Sequence, residues 1–311
     1  MATTTRRVSA GGLLAVHAHP DDETLSTGAL LATWAAAGRP VTVVTCTRGE
    51  RGEVIGDELA HLEGDGPALA AHREHELAAA LTALGVADHT YLDALAGAPG
   101  RIEDSGMAWL AVGRAGPAPD RPPTAFADVP LDVAARPLAA LLLDRRPDVV
   151  VGYEPDGGYG HPDHVQAHRV LARAVDLASG AGHAPTVLWA ALPEPELRRA
   201  YSVLARAPWD GMAAPDPDGP LPSAAVPVAD IDVRVEVAPV LDRVLAALDA
   251  HATQVQAVRR VEGGAMVAGL ALSNAVLQPV LARECYRYPP DRRAAAAGRH
   301  VPWPDGVATV A

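Results

Sequence analysis

The chain of 311 residues contains no lysine: all 26 basic residues are arginines, and 38 acidic residues outnumber them. The resulting formal net charge of -12 disfavours phosphate backbones and anionic membrane surfaces as partners, because like charges repel. Arginines cluster only in short pairs such as Arg145-Arg146, which are typical of solvated helix ends. The sequence therefore predicts neither a nucleic-acid-binding nor a membrane-binding protein.

Cysteine and long apolar runs are also scarce. Cys46 and Cys285 are the only cysteines and neither belongs to a CxxC pair, so a disulfide framework is excluded. No segment approaches the roughly 20 uninterrupted apolar residues of a membrane span. The apolar stretch 11–18 is too short for a signal peptide. We therefore expect a cytoplasmic protein.

The chain does contain a regular alternation of short apolar or β-branched runs with longer helical segments. We expect strands at 13–16, 41–45, 90–92, 148–153 and 187–191, and helices at 24–37, 68–84, 131–143 and 164–178. This alternation predicts an α/β fold with a Rossmann-like, mostly parallel sheet and helices on both faces.

Two Pro-rich segments and the C-terminal tail interrupt this rhythm. Two segments rich in Pro and Gly, 116–130 and 208–227, are predicted as loops, and the tail after Pro289 as extended or frayed. We expect a strand at 231–237 and helices at 239–250 and 275–284 to form a smaller C-terminal α/β lobe. The predicted organisation is a catalytic core at 1–200, with the Pro-rich loop, the lobe and the tail at 201–311 packed on it.

Two His-Pro-Asp motifs follow two of the predicted strands. His19-Pro20-Asp21-Asp22-Glu23 follows the first strand, and His161-Pro162-Asp163-His164 follows the strand at 148–153. Ligands of open α/β sheets bind at the carboxyl ends of strands, so the two motifs can face each other. Residues three apart on a first helical turn share a face. Two histidines and one aspartate suit zinc or iron(II), but the spacing leaves open whether His161 or His164 is the third ligand.

The same residues have a simpler interpretation. An aspartate at a helix start is commonly only a cap, but two copies at successive strand ends are harder to explain in this way. Asp21 and Asp22 are neighbours and point in different directions. If Asp22 binds the metal, Asp21 can act as a general base. We expect His17 to be a core histidine, and treat a further set as structural: His61, His72, His75, His168 and His251.

The paired motifs resemble those of the LmbE-like (PIG-L) family of zinc-dependent N-deacetylases. The segments 43–47, 49–56, 73–77 and 104–107 are similar to the actinobacterial branch that acts on the mycothiol precursor N-acetylglucosaminyl-inositol. The resemblance covers most of the chain to about Pro195. It implies one zinc ion, with iron(II) as an alternative, and His19, Asp22 and His164 as its ligands. It also implies Asp21 as general base, His161 as the acid that protonates the leaving amine or as the group that stabilises the oxyanion, Asp163 as the partner of His161, and Tyr159 as a donor to the carbonyl oxygen.

The resemblance also implies a small-molecule amino-sugar substrate. Arg73 and Asp104 match positions that hold sugar and inositol hydroxyls, with Glu53 and Met107 as further candidates for the pocket wall. Ser26 stands where the related mycothiol-conjugate amidases carry lysine, which favours the deacetylase. The alternatives are mycothiol S-conjugate amidase or a deacetylase of another N-acetyl amino sugar. A nucleotide-binding module without catalysis is disfavoured, because no G-x-G-x-x-G follows the first strand.

Overall fold

The structure is a computed structural model that describes residues 11–111 and 113–310; the first ten residues of the predicted core lie outside this range. The strands of the described residues are β1 Leu13–His17, β2 Val41–Thr45, β3 Asp88–Tyr91, β4 Met107–Ala111, β5 Arg114–Pro117, β6 Val149–Gly152, β7 Thr186–Pro193, β8 Ala225–Val226, β9 Val233–Glu236, β10 Val255–Gly263, β11 Met266–Leu272, β12 Leu277–Leu281, β13 Arg283–Arg287 and β14 Val307–Thr309. The helices are α1 Asp22–Ala36, α2 Gly66–Leu84, α3 Leu131–Arg145, α4 Gly157–Gly160 (a single irregular turn), α5 Pro162–Gly180, α6 Glu194–Leu204, α7 Leu241–Ala250 and α8 Arg293–Ala297.

The main sheet has the strand order β14-β9-β13-β7-β6-β1-β2-β3, with the two-residue β8 paired to β7. The run from β7 to β3 is parallel, whereas β13, β9 and β14 pair antiparallel at the other side. The predicted α/β fold with a mostly parallel sheet is confirmed. Most of the predicted core strands and helices lie within a few residues of their expected positions.

The central strands are buried along their whole length, because helices cover both faces of the sheet. Every residue of β1, β2 and β6 is buried, as expected for apolar parallel strands without alternation. Helices α1, α2 and α7 pack together over one face, and α3 packs against α5 over the other. The predicted end of α2 at Gly85 is confirmed, since Gly85 has a φ of 83° and caps the helix.

The strand order places β1 beside β6 at the point where the chain reverses its direction across the sheet. From β1 the chain moves outward through β2 to β3, and from β6 it moves the other way to β7. The following helices α1 and α5 therefore lie on opposite faces. A crevice opens at the carboxyl ends of β1 and β6, which is where ligands of such sheets bind.

The C-terminal third departs from the prediction at two places. The expected helix at 275–284 is wrong: this segment forms β12 and the start of β13. Pro279 lies in its middle, where it would break a helix, and an edge strand of the three-stranded sheet β10-β11-β12 tolerates it. The tail is not frayed, because β14 pairs with β9 and Trp303 packs edge-on against Trp34 with 6.2 Å between ring centroids.

The β4–β5 hairpin was not predicted, and it begins directly after Asp104 and packs against α4. The first Pro-rich segment is otherwise irregular, as expected, and the second ends in β8. Within the described residues, no helix has the length and apolar character needed to cross a membrane.

Candidate active site

The two His-Pro-Asp motifs meet in the crevice between β1 and β6. Oδ2 of Asp22 lies 3.3 Å from Nδ1 of His19 and 3.3 Å from Nε2 of His164. Two ligands bound tetrahedrally to one zinc ion lie about 3.3 Å apart, given zinc–ligand distances of about 2.0–2.1 Å. The distances from Asp22 to His19 and from Asp22 to His164 therefore both match the separation of two ligands around one tetrahedral zinc ion.

His164 offers an unused nitrogen to this site. Its Nδ1 lies 3.1 Å from the carbonyl oxygen of Gly157, which fixes Nδ1 as the protonated nitrogen. Its Nε2 is buried and has no hydrogen-bond partner among the residues that the structure describes, although buried polar atoms are generally paired. An orphaned lone pair aimed at a carboxylate and a second imidazole fits a metal ligand. His161 also brings a ring nitrogen within 4.8 Å of ligand atoms of His19 and His164.

Carboxylates surround His19 on the side away from Asp22. Nε2 of His19 lies 3.2 Å from Oδ2 of Asp163 and 3.6 Å from Oδ1 of Asp104. Burial would lower the pKa of His19, but Asp104 above all, with Asp163 and Asp22, raises it well above its usual range. This concentration of negative charge favours a cation in the crevice. A carboxylate on the second nitrogen of a histidine also orients that ring for metal binding.

Asp163 therefore lies in a different place from the one expected. Its carboxylate contacts His19 and accepts the backbone N–H and the hydroxyl of Ser105. Only its backbone N–H reaches His161, at 3.1 Å from Nδ1. The expected contact between the Asp163 carboxylate and the His161 ring is not among the described hydrogen bonds. The structure instead makes Asp163 a partner of His19.

Asp21 is held in a strained conformation beside the cluster. Its φ of 117° is rare for a residue with a side chain, and its backbone N–H donates to Oε2 of Glu23 at 2.9 Å. Oδ2 of Asp21 lies 3.3 Å from Nη2 of Arg73. Burial raises the pKa of Asp21 to about 6, against the lowering effect of Arg73. A carboxylate of this kind is suited to accept a proton near neutral pH.

Arg73 is buried beneath Asp21 rather than open to the cleft. It is 2% exposed, and it donates to the carbonyl oxygens of Gly49 and Pro20 as well as to Asp21. The structure thus assigns this side chain to holding the motif loop. Its expected contact with substrate hydroxyls stays a prediction.

His161 and Tyr159 lie beside His19 and His164. The ring centroid of His161 is 4.7 Å from that of His19 and 4.8 Å from that of His164. Burial, with the charges of these two histidines, lowers the pKa of His161 well below its usual range. The Tyr159 ring lies edge-on to His164 at 5.2 Å, and burial raises the pKa of its hydroxyl, so Tyr159 is a neutral hydrogen-bond donor.

The predicted substrate residues divide into two groups. Asp104 and Met107 line a cavity of about 430 Å³ beside the cluster, together with Arg51 and residues of the first Pro-rich segment. Glu53 is exposed, and its backbone carbonyl accepts a hydrogen bond from the Gln254 side chain. Ser26 lies on α1, where its carbonyl accepts the Tyr286 hydroxyl at 3.4 Å. Neither Glu53 nor Ser26 contacts the metal cluster in the described structure.

Sequence reasoning missed the contribution of His251, which was treated as structural without a partner. Nε2 of His251 lies 2.8 Å from Oε1 of Glu23, and both side chains are fully buried. Glu23 holds the backbone of Asp21, so His251 supports the first motif from 228 residues away. The sequence shows Glu23 at the end of the first His-Pro-Asp motif, but no sequence pattern indicates that His251 is its partner.

Two more supporting residues follow the motifs. The Tyr153 hydroxyl accepts the N–H of Ala18 at 2.9 Å, and its ring stacks on His164 at 4.3 Å. Its position at the carboxyl end of β6 was the signal that could have identified it. His17 is buried as expected and contacts Thr27 at 3.0 Å, and burial lowers its pKa to about 4.

The chain is similar to known proteins in sequence and in structure. Residues 14–175 match the family model described as PIG-L, GlcNAc-PI de-N-acetylase. Two proteins named 1D-myo-inositol 2-acetamido-2-deoxy-alpha-D-glucopyranoside deacetylase are similar over most of their length. That of Kineococcus radiotolerans is 46% identical, with 88% of this chain and 76% of that protein covered; that of Nocardia farcinica is 43% identical, with 95% and 94% covered. A solved deacetylase–teicoplanin complex is 21% identical with a TM-score of 0.49, covering 77% of this chain and 86% of that one. The chain belongs to the PIG-L family of de-N-acetylases.

Proposed function

We propose that this protein hydrolyses the N-acetyl group of 1D-myo-inositol 2-acetamido-2-deoxy-alpha-D-glucopyranoside and releases acetate and the free amine. The observation that carries the proposal is the position of Asp22 at 3.3 Å from a nitrogen of both His19 and His164. The relatives named for this substrate, 42–46% identical, support its identity. The substrate is a neutral polyol, which an acidic chain does not repel.

The proposed cofactor is one zinc ion held by His19, Asp22 and His164. When bound there, zinc supplies Lewis acidity for activating water and polarising the amide carbonyl. The set of two imidazoles and one carboxylate leaves a coordination position open for reaction. Iron(II) suits the same donors.

The protein's own residues would carry the proton transfers. Asp21 takes a proton from the attacking water as the bond from oxygen to the acetyl carbon forms. Tyr159 donates a hydrogen bond to the acetyl oxygen as negative charge develops on it. The proton held by Asp21 passes to the amine nitrogen as the carbon–nitrogen bond breaks, and His161, which is neutral because its pKa is lowered, donates its Nε2–H to the developing oxyanion. The Asp163 carboxylate keeps the His19 ring oriented.

The substrate would extend from the cluster into the cavity beside it. Asp104 and Met107 line this cavity, and both oxygens of Asp104 already accept backbone N–H groups, from Gly106 at 2.8 Å and Arg51 at 3.3 Å. Asp104 is therefore fixed before substrate arrives, which lowers the entropic cost of binding.

The experiment is acetate release by the purified protein after removal of metal with a chelator and reconstitution with zinc or iron(II). We expect turnover of the acetylated inositol glycoside, loss of activity on chelation, and recovery with stoichiometric metal. Parallel measurement of kcat/KM on a mycothiol S-conjugate and on N-acetylglucosamine separates the substrates. Full metal content without acetate release from the inositol glycoside would refute the proposed substrate.

A further inference from the structure

The loop that carries Tyr159 is built mainly from glycine. Gly157, Gly158 and Gly160 have φ values of 65°, 80° and 90°, a conformation that glycine adopts at little steric cost. Glycine also loses more conformational freedom on ordering than any other residue. The position of the Tyr159 hydroxyl therefore depends on contacts that hold this loop from outside.

Glu154 supplies most of these contacts. It is 2% exposed and follows β6. Its carboxylate accepts the N–H groups of Asp156 and Gly158, each at 2.6 Å, and the Ser223 hydroxyl at 2.7 Å. Its backbone carbonyl accepts the N–H of Gly157 at 3.0 Å. A buried carboxylate is costly without such partners, so the loop and Glu154 fix each other.

Ser223 belongs to the second Pro-rich segment, 208–227. The next residue, Ala224, donates its N–H to the Gly158 carbonyl at 3.4 Å and accepts the N–H of Leu192 at 2.8 Å. The segment then enters β8, which pairs with the end of β7. This end of the Pro-rich segment is therefore attached to the main sheet where it meets the loop.

The other side of the loop rests on the β4–β5 hairpin. A Cβ atom at Gly160 would lie 2.8 Å from the Ala115 carbonyl oxygen, so backbone packs directly on backbone there. The Trp109 ring stacks on Tyr159 with 5.8 Å between centroids and 28° between planes. The loop is thus held between the hairpin on one side and Glu154 with Ser223 on the other.

We propose that Glu154 and Ser223 are positioning residues for Tyr159, and that the second Pro-rich segment acts in catalysis through this contact. The inference rests on the proposed function, in which Tyr159 donates a hydrogen bond to the acetyl oxygen. In the part of the chain that the structure describes, the Ser223 hydroxyl bonds to Glu154 rather than to His19, Asp22 or His164, and Ser223 does not line the cavity. Its effect on turnover therefore has to pass through the loop.

The kinetic test is a double-mutant cycle with Ser223→Ala and Tyr159→Phe. We expect Ser223→Ala to lower kcat about three- to tenfold, the effect of one hydrogen bond, with KM and zinc content nearly unchanged. In the Tyr159→Phe background the same substitution causes no further loss. Glu154→Gln produces a larger loss of kcat than Ser223→Ala. The matched control is Ser202→Ala on α6, whose hydroxyl also makes one hydrogen bond, to the Arg198 carbonyl at 3.0 Å; it leaves kcat unchanged.

A second readout does not depend on the substrate. Hydrogen exchange of the peptide 154–161, followed by mass spectrometry, becomes faster in Ser223→Ala and stays at the wild-type rate in Ser202→Ala. Unchanged exchange in Ser223→Ala, or a kcat loss that persists in the Tyr159→Phe background, overturns the inference. If the wild-type protein does not turn over the acetylated glycoside, the proposed function fails and the exchange measurement alone decides about the positioning residues.

Discussion

Asp21 occupies a backbone conformation that costs on the order of 1–3 kcal/mol, and the contacts with Glu23 and Arg73 maintain it. Its carboxylate lies next to the proposed zinc ligand Asp22 without making either of the 3.3 Å contacts to the imidazoles. The two neighbouring aspartates can therefore be separated experimentally.

We predict that Asp21→Asn lowers kcat by about 10²–10⁴-fold, the usual contribution of a general base, while the protein keeps its zinc. Asp22→Asn is the matched variant, and we expect it to lose the metal as well as the activity. Metal analysis and initial rates on the same preparations test this. Wild-type turnover by zinc-loaded Asp21→Asn would contradict the assignment of the base.

The buried pair of Glu23 and His251 makes a prediction about stability. Burial would raise the pKa of Glu23, but the charge and hydrogen bond of His251 bring it from 4.5 down to about 2. Burial would lower the pKa of His251, but Glu23 raises it above 6.5. The Glu23 contribution is present above pH 4.5 and is lost as the pH falls toward 2. The His251 contribution is present below pH 6.5 and is lost as the pH rises through its raised pKa.

We therefore expect His251→Gln to destabilise the metal-free protein by about 3–5 kcal/mol between pH 4.5 and pH 6.5, as breaking a buried ion pair does. The difference from wild type shrinks as the pH rises above 6.5. Urea unfolding at a series of pH values measures it, with the exposed His75→Gln as control. A difference that stays constant up to pH 9 would show that the pair is not charged.

At the scale of elements, the turn between β6 and α5 packs against the proposed zinc ligand His164. Gly157 and Gly158 both have positive φ, but their surroundings differ. A Cβ atom at Gly157 would lie 2.7 Å from Cβ of His164, whereas nothing lies within 4 Å of one at Gly158. The two glycines form a matched pair, because alanine strains the backbone at both positions and meets His164 at only one.

We predict that Gly157→Ala weakens zinc binding about 10–100-fold relative to Gly158→Ala, the range seen when the supports of a metal ligand are disturbed. In both variants the positive φ of the substituted residue lowers the free energy of unfolding by about 1–2 kcal/mol. Competition with a chromophoric chelator gives the zinc affinities. Equal affinities in the two variants would mean that the Gly157–His164 contact does not position the ligand.

At the scale of the whole molecule, the C-terminal tail completes the covering of the sheet. Trp303 is half-buried against the fully buried Trp34 of α1, and β14 extends the edge of the sheet at β9. The C-terminal tail therefore packs against the same apolar core that contains β1 and α1.

We predict that Trp303→Ala lowers the free energy of unfolding by about 2 kcal/mol, the value of burying much of a large side chain, without changing zinc content. Val228→Ala, at a residue that is 40% exposed, serves as control and changes stability by less than about 0.5 kcal/mol. Urea denaturation measures both. Equal stability of the two variants would show that the tail does not pack on the core in solution.

Most of the parallel core was predictable, because strand and helix periodicities are local properties of the chain. The strand at 41–45 and the helix at 68–84 show this, because each is an uninterrupted run of its own residue pattern that ends at turn residues. The segment 275–284 was mistaken for a helix because its apolar residues recur at helical spacing, although Pro279 in its middle was a local signal against a helix. Its pairing with β11, which only the folded chain provides, selects the strand.

By itself the sequence determined which residues are candidates for the chemistry, since the spacing within each His-Pro-Asp motif is local and the proline sets the first helical turn. Tertiary structure decided which of these residues meet. The pairing of β1 with β6 brings Asp22 to His164 and places the Asp163 carboxylate on His19 rather than His161. The packing of α7 on α1 joins Glu23 to His251. These contacts span 142 to 228 residues, and they depend on strand order and helix packing, which no local pattern encodes.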